Sequence, residues 1–558
     1  MSLQYDWTTA VVPEETARVA RAAFPQGSVA IWMRDHLGAF VRDIDLDRIY
    51  CLRGRPVEAP WRMVVVTVLP YIEGRADRPA ADAVRARIDW TDALGLELTD
   101  AGFDHSILCE LRTRLVEDAD EVGAGWEGVL LNRLLGRAQQ QGWFKARGRQ
   151  RTDSTPVRAA IRTLNRLEMV RETVRTGLNS LAVAAPDWLR AHVPADGHDR
   201  YDRRSEEYRL PAAKTARAAR AAAIGTDGLA LLRAIDAPTA PAWLRALPAV
   251  RTLRAVWVQQ YDAPDATGAV RRRAEAAAPP SALLIHAPPD PDARESTTRD
   301  THGVGDKAHL TETCDEDRPP LITDVQTTPG TTADVTMLLR VQENLAGRDR
   351  LPAEHIVDSG YVDAAQVVIS RDTDSVDVVG PAPGDQSWQA RAAAGFDVAH
   401  VALDWDAERA TCPTGQTSVT WQPTHDQRGQ PSITSAFARA ACRACPQRAS
   451  CTHSAEDPRW LTVRPRAPHE ALQAARTRQA TPAFKEQYAT RAGIKGTISY
   501  AVHACDLRHA RYRGIIKTHL PHVLTAVAIN VTRLVAGDEE TPFAKTRTSS
   551  FARLPGAA

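Results

Sequence analysis

Two aspartates stand in short motifs that could hold a divalent cation. In Arg151-Thr152-Asp153-Ser154-Thr155-Pro156 an acidic residue follows a basic strand and precedes a helix. In Ile356-Val357-Asp358-Ser359-Gly360-Tyr361 a second aspartate ends an apolar strand, and the glycine permits a tight turn. Sites in open α/β sheets gather at strand ends, so carboxylates 205 residues apart in sequence can meet there. Two such residues are the minimum ligand set for a hard divalent cation, which takes oxygen donors. By local pattern alone each aspartate also reads as an ordinary helix cap or turn residue.

Four cysteines form a second cluster: Cys412-Pro-Thr-Gly, then Cys442-Arg-Ala-Cys445-Pro-Gln-Arg-Ala-Ser-Cys451. One C-x2-C pair with two further thiols is consistent with a four-thiolate structural Zn2+ site, the gap between Cys412 and Cys442 being spannable by a hairpin. Buried unliganded thiols and a redox pair are the other readings. Four thiolates leave no open metal position for water, so a zinc-dependent hydrolase is a weak reading. Cys51, Cys109, Cys314 and Cys505 are isolated, and core packing is the expectation for them.

The elements that must position these residues are only partly legible. The chain has 558 residues, enough for three or four domains with a sizeable core. Lys and Arg number 70 against 69 Asp and Glu, so any nucleic-acid surface must come from local segregation of charge. Two blocks supply it: nine basic residues against three acidic over 142–175, and eleven against three over 461–520. The second block includes Arg464, Arg466, Arg508, Arg511, Arg513 and Lys517; such a density is usually a solvated face, and beside a phosphoryl-transfer site it would suit a track for DNA phosphates. No apolar run approaches the ~20 residues of a membrane span, the best being Met63 to Leu69. Eight scattered cysteines and no signal-peptide pattern suggest a cytoplasmic protein.

Residues 1–125 read as helical, with Pro60 starting a helix through Glu73 and Pro70 sitting inside it. Further helices are expected over Ala80–Ala86 and Ser106–Glu117, separated by turns at Gly95 and Gly102. A long Ala/Arg/Leu-rich helical stretch runs to about Gln260, and 262–300 read as a connector. Beyond 303 a hairpin (Ala308–Thr313 and Leu321–Thr327) precedes strand–helix alternation, which argues for a mixed α/β sheet. Helices are expected near Phe484–Cys505 and Thr518–Ala536, then a frayed tail.

An ordered set of motifs carries a family likeness: Ala23-Phe24-Pro25-Gln26-Gly27, Ala80 through Trp90, Phe103-Asp104-His105-Ser106, Arg151 through Thr155, His309 through Cys314, Val357 through Tyr361, and Arg511-Tyr512-Arg513-Gly514. With these the chain resembles bacterial insertion-sequence transposases of the DDE type, in the branch with a large helical insertion between the first two catalytic aspartates. The resemblance implies a ribonuclease H-like sheet and metal-assisted phosphoryl transfer by two Mg2+ (or Mn2+) ions. It makes Asp153 and Asp358 the first two metal ligands. It implies DNA partners, the terminal inverted repeats and the target, bound by a homo-oligomer near the bacterial nucleoid.

The implied organisation is an all-α N-terminal DNA-binding domain over 1–125 and a catalytic core over 142–160 and 300–400. A helical insertion covers 161–299, a Cys-rich insertion 401–460, the C-terminal helical part of the core 461–537, and a tail 538–558. Tyr488 and Arg491, with Arg151, Arg511, Arg513 and Lys517, would serve DNA or phosphate. The third acidic residue is where the chain departs, because Tyr488 and Arg491 are followed by Lys495 in place of the family glutamate. An ammonium has three donors and no lone pair, so it competes with a metal instead of holding one. A Glu-to-Lys change needs one base substitution, and the aromatic pair expected before His309 also appears changed, to Gly303 and Asp306. The leading expectation is therefore a transposase impaired in strand transfer. The alternative is a non-catalytic DNA-binding protein derived from one.

Overall fold

The computed structural model describes residues 2–3, 11–38, 46, 49–50, 56–57, 59–117, 125–161, 164–193, 197–203, 213–280, 282–298, 301–427 and 429–539. The expected tail and Cys51 lie outside the described residues, apart from the end of the last helix.

The N-terminal part is helical, as its pattern suggests: α1 (Glu14–Ala23), α2 (Pro60–Glu73), α3 (Asp77–Ala86), α4 (Ser106–Glu117) and α5 (Glu127–Gln140). Pro60 occupies the first turn of α2, where its missing N–H costs nothing, and the helix accommodates Pro70 in its last turn. Gly95 and Gly102 both adopt positive φ at the expected turns. These helices do not close a core of their own. Their apolar residues, Trp61, Val66, Leu69, Trp90 and Leu108 among them, share one cluster with the C-terminal residues Leu524 to Leu534 and with Leu310, Ile322 and Val325 of the sheet.

The central sheet begins with β1 (Arg149–Arg158). Helices α6 (Arg166–Ala184), α7 (Lys214–Asp236) and α8 (Pro248–Gln260) follow and pack around a separate apolar cluster that includes Val174, Ile224 and Leu253. Asn165 starts α6 with a capping box to Glu168. The sheet resumes with β2 (Arg294–Thr298), β3 (Thr301–Thr313) and β4 (Ile322–Pro329). Then come α9 (Leu338–Ala346), β5 (Glu354–Ile356), α10 (Ala364–Asp374) and β6 (Asp377–Val379).

Strand β3 runs antiparallel to β1 on one side, with Asp153 opposite Leu310, and to β2 and β4 on the other. β5 and β6 add on in parallel beyond β1. The hairpin and the strand–helix alternation expected from sequence are both present, in a mixed α/β sheet.

A small β-rich segment follows: β7 (Ala402–Asp404), β8 (Arg409–Thr411), β9 (Gln422–His425), β10 (Pro431–Ala436) and β11 (Trp460–Val463). The chain ends in α11 (Arg466–Gln479), α12 (Pro482–Ala489), α13 (Ala492–Cys505) and α14 (Ile515–Asp538). Helix α14 corrects the membrane expectation. By length and composition it is apolar enough to span a bilayer, but 78% of its most apolar stretch is buried inside the protein. Lys517, His519, His522 and Arg533 interrupt its apolar runs, which is why the sequence hid it. Asn530 on α14 both donates to and accepts from the backbone of Ile322, tying the helix to β4.

A buried ion cluster locks these layers. Glu312 on β3 is completely buried and accepts from Arg151 of β1 at 2.8 Å, from Arg533 of α14 at 2.7 Å and from the Thr497 hydroxyl of α13 at 2.7 Å. Burial pushes the Glu312 carboxyl up, but the two guanidiniums and the hydroxyl outweigh it and hold it below the ordinary value of 4.5. Asp306 on the same strand has less help: burial, with Asp290 and Asp292 nearby, outweighs the pull of Arg294 and pushes it up to about 7. A buried carboxyl here, where the resemblance implies an aromatic side chain, is a local defect of the core.

Replacing Glu312 by Ala leaves two buried guanidiniums without their partner, with an expected loss of about 3–5 kcal/mol in a denaturant melt. Because the folded pKa is depressed, the contribution of Glu312 is complete above pH 4.5 and is lost as pH falls through the lower folded value. The stability difference between wild type and Glu312→Ala should therefore narrow on acidification.

Candidate active site

Asp153 lies within β1, not ahead of a helix as its motif suggested; the next helix starts only at Arg166. Strand β5 pairs with β1 only from Arg149 to Arg151. At Asp153 that neighbour has ended, and the carboxylate sits where β5 gives way to the Asp358 turn. Asp358 follows β5 by two residues, and its Oδ1 accepts from the Gly360 N–H at 2.8 Å. A Cβ at Gly360 would stand 3.0 Å from that oxygen and 3.4 Å from Asp334 Oδ2, so a side chain there would press on both carboxylates.

The two aspartates meet on one atom. Arg491 Nη2 lies 2.9 Å from Asp153 Oδ2 and 3.3 Å from Asp358 Oδ2. Asp153 is buried and Asp358 half-buried. Burial raises the Asp153 carboxyl above its ordinary 3.8, and the like charge of Asp358 adds to this; Arg491, the Ser154 N–H and Lys495 pull it down. Both residues line a cleft of about 520 Å3, together with Asp334, Tyr488, Lys495, His503 and Arg508.

The third corner comes from two helices. The sequence suggested one helix through Phe484–Cys505, but the chain breaks between α12 and α13, with Arg491 at the junction and Lys495 in the first turn of α13. Positions related by continuous helical spacing are therefore not related here. Glu486 is exposed and is not among the lining residues, and Asp506 is paired with His509 at 2.5 Å. Tyr488 packs on Phe484, its ring 6.0 Å from the Arg491 guanidinium, and burial raises its phenol.

Arg151, expected to serve phosphate, is buried in the protein. Its guanidinium is spent on Glu312 and on the Thr490 carbonyl, packed so tightly against Gly493 that any side chain there would collide with it. It is a clamp between β1 and the α12–α13 junction. Arg511, Arg513 and Lys517 are exposed, although Arg511 lies over Tyr71 at 4.6 Å. Cys109 is also exposed, against the expectation of core packing, while Cys314 and Cys505 are buried.

Sequence reasoning missed Asp334 and the polar shell behind the aspartates. Asp334 accepts from Lys307 Nζ at 3.0 Å and from the Ser154 hydroxyl at 3.2 Å. His309 bonds the Tyr361 hydroxyl at 2.6 Å, and burial pushes His309 down to about 3. Asp334 opens a short 3-10 turn before α9 and carries no local signature, so only the fold could find it. Arg508 donates to Thr155 at 3.0 Å and lines the cleft from the far side.

The family model for a transposase DDE domain matches residues 411–535, which include Tyr488, Arg491 and Lys495. A second model, a transposase domain (DUF772), matches residues 20–114. Both matches are to transposase families, and together they support an insertion-sequence transposase of the DDE type. Members of that type are DNA phosphoryl-transfer enzymes that use divalent metal ions, and transposases act on DNA. Asp153 and Asp358 lie outside both matched segments. No curated protein and no solved structure matches the chain.

Replacing Arg491 by Met removes the shared counter-ion of the two carboxylates. The Asp153 titration should then move to higher pH, read from carboxyl-carbon shifts. Because a raised folded pKa costs stability as pH rises above 3.8, the variant's denaturation midpoint should fall with pH more steeply than that of wild type.

Proposed function

We propose that the chain is the transposase of an insertion sequence that binds terminal inverted repeats, cuts DNA at the element ends and joins the 3′ ends to a target. We further propose that this copy is catalytically impaired by Lys495. The observation that carries the reading is the convergence of Asp153 and Asp358 on a single positive centre in an open cleft. The strand order β4–β3–β1–β5–β6, three antiparallel strands followed by two parallel ones, supports a ribonuclease H-like core.

The donor set fits a divalent ion in part. Two carboxylate oxygens already approach one cation, the Arg491 guanidinium, so Asp153 and Asp358 would hold Mg2+ or Mn2+. Such an ion would supply the Lewis acidity that activates the attacking oxygen and offsets charge at the phosphate. At the family's third acidic position stands an ammonium, which does not fit. At 4 Å and an effective dielectric of 20, a unit charge pair is worth about 4 kcal/mol. A second cation beside Arg491 therefore weighs heavily against metal loading.

The chain's own residues have plain tasks. Arg508, His503 and Lys495 line the cleft and would attract a DNA phosphate. Arg491 would exchange its carboxylates for the phosphate as the ion enters. Arg511, Arg513 and Lys517 continue the basic surface beyond the cleft. The N-terminal helices would read end sequence, and a homo-oligomer would bridge two ends. Lys495 also favours a second reading, a transposase-derived protein that occupies DNA ends without cutting them.

The deciding experiment is cleavage of an end-bearing duplex in Mg2+ or Mn2+. Lys495→Glu should raise the rate on the order of a hundredfold or more, and adding Asp358→Ala should abolish it. No gain from Lys495→Glu, or full cleavage by wild type, refutes the impairment. Persistent activity in Asp358→Ala refutes the site. Duplex binding by Arg511→Ala/Arg513→Ala should lose about 1.8 from the slope of log K against log salt.

A further inference from the structure

The Cys-rich segment is a small module away from the cleft. It combines the β7–β8 hairpin, the β9–β10–β11 sheet and two helical turns, Arg439–Ala444 and Arg448–Cys451. Among the described residues its buried apolar cluster is Ala410, Phe437, Leu461 and Val463, with Leu403, Trp405, Trp421, Ile433, Cys412 and Cys442 among the partly buried side chains packed against it. So small a core leaves the connecting loops weakly held, and modules of this kind depend on a staple.

Four thiols surround one place in the module. Cys412, Cys442, Cys445 and Cys451 line a single cavity of about 30 Å3, room for one small occupant. All four are free. Two tight turns present them. The Cys412 carbonyl accepts from the Gly415 N–H at 2.8 Å, with Gly415 at φ +83°, and the Cys442 carbonyl accepts from the Cys445 N–H at 3.4 Å. The Thr414 hydroxyl stands 3.1 Å from Cys412 Sγ and 4.0 Å from Cys445 Sγ, so it spans the hairpin thiol and the C-x2-C pair.

A second observation points to an occupant that carries negative charge to its surroundings. Arg448 lines the cavity, and its Nη1 is buried with no hydrogen-bond partner. A buried guanidinium N–H left unpaired is costly. Zinc held by four thiolates is a dianionic centre whose sulfurs accept such hydrogen bonds, and Arg459 lines the same cavity.

We propose that Cys412, Cys442, Cys445 and Cys451 bind one Zn2+ as a closed structural site that holds this module together. Among the described residues, no group of three or more His, Cys, Asp or Glu side chains is gathered as tightly as a metal centre demands. Binding therefore turns the thiols into the cavity they already line, and the thiol protons leave to solvent. The site supplies no open position and takes no part in the DNA chemistry.

The test is metal content of the full-length chain purified without chelator. One zinc per chain is expected, lost in Cys442→Ser/Cys445→Ser and retained in Cys109→Ser, whose thiol is exposed elsewhere. Should the double variant fail to fold, Co2+ titration of the metal-stripped wild type keeps the test open: intense thiolate-to-cobalt absorption with tetrahedral d–d bands, saturating at one equivalent, supports the site. Zinc below about a tenth of an equivalent with no tetrahedral cobalt spectrum overturns it, as does recovery of the four cysteines as disulfides. None of these readouts depends on catalytic activity, so they stand or fall apart from the transposase reading.

Discussion

Glu312 is a carboxylate with no exposure to water, and it is tolerable there only because three donors from three other elements converge on it. That convergence sets the geometry of the cleft. Arg151 lies two residues from Asp153 on β1 and reaches Glu312 on β3 and the Thr490 carbonyl at the start of the α12–α13 break. Thr497 fixes α13 to the same carboxylate, and Arg533 fixes α14. Arg491 and Lys495 are thus held over Asp153 by a network that touches neither of them. A buried network of this kind gains its specificity from being fully satisfied, since any member left alone would pay the whole cost of desolvation.

The cleft itself is built on opposed charges. Two aspartates brought together at the end of β5 would repel each other in a half-buried setting, and Arg491 resolves this by bonding to both. Lys495 adds a further positive charge to the same cleft. Behind the aspartates, Asp334, Lys307, His309 and Tyr361 form a connected polar shell that keeps the loop ends in place.

Elements with strong local chemistry were legible in the sequence. The helix over Ser106–Glu117 appears with the bounds its pattern gives, and Pro60 starts α2 because proline's missing N–H is harmless in a first turn. The hairpin of β3 and β4 follows from alternating β-formers around an Asp-Glu-Asp-Arg-Pro-Pro turn. Strand β1 was harder. It is buried on both faces yet carries Arg151, Thr152 and Asp153, and no apolar alternation marks it. The break between α12 and α13 was likewise invisible: Thr490 and Arg491 are unremarkable in a helix, and the clamp that fixes the break comes from β1. The N-terminal helices looked like a separate bundle, but their apolar faces are completed by α14, which begins 375 residues after the end of α5.

The residue types at the cleft, two aspartates, an arginine and a lysine, were legible in the sequence alone, and so was the family resemblance, through motifs whose order along the chain is specific. Which of those residues meet was decided only by tertiary structure. Asp153 and Asp358 share a guanidinium because β5 pairs in parallel with β1 and stops short of Asp153. Arg151 is turned into the core because Glu312, 161 residues away in sequence, is buried there and accepts from its guanidinium. Charge and hydrogen-bonding capacity belong to a residue wherever it stands, whereas burial and partners are properties of position, and those exist only once the chain has closed on itself.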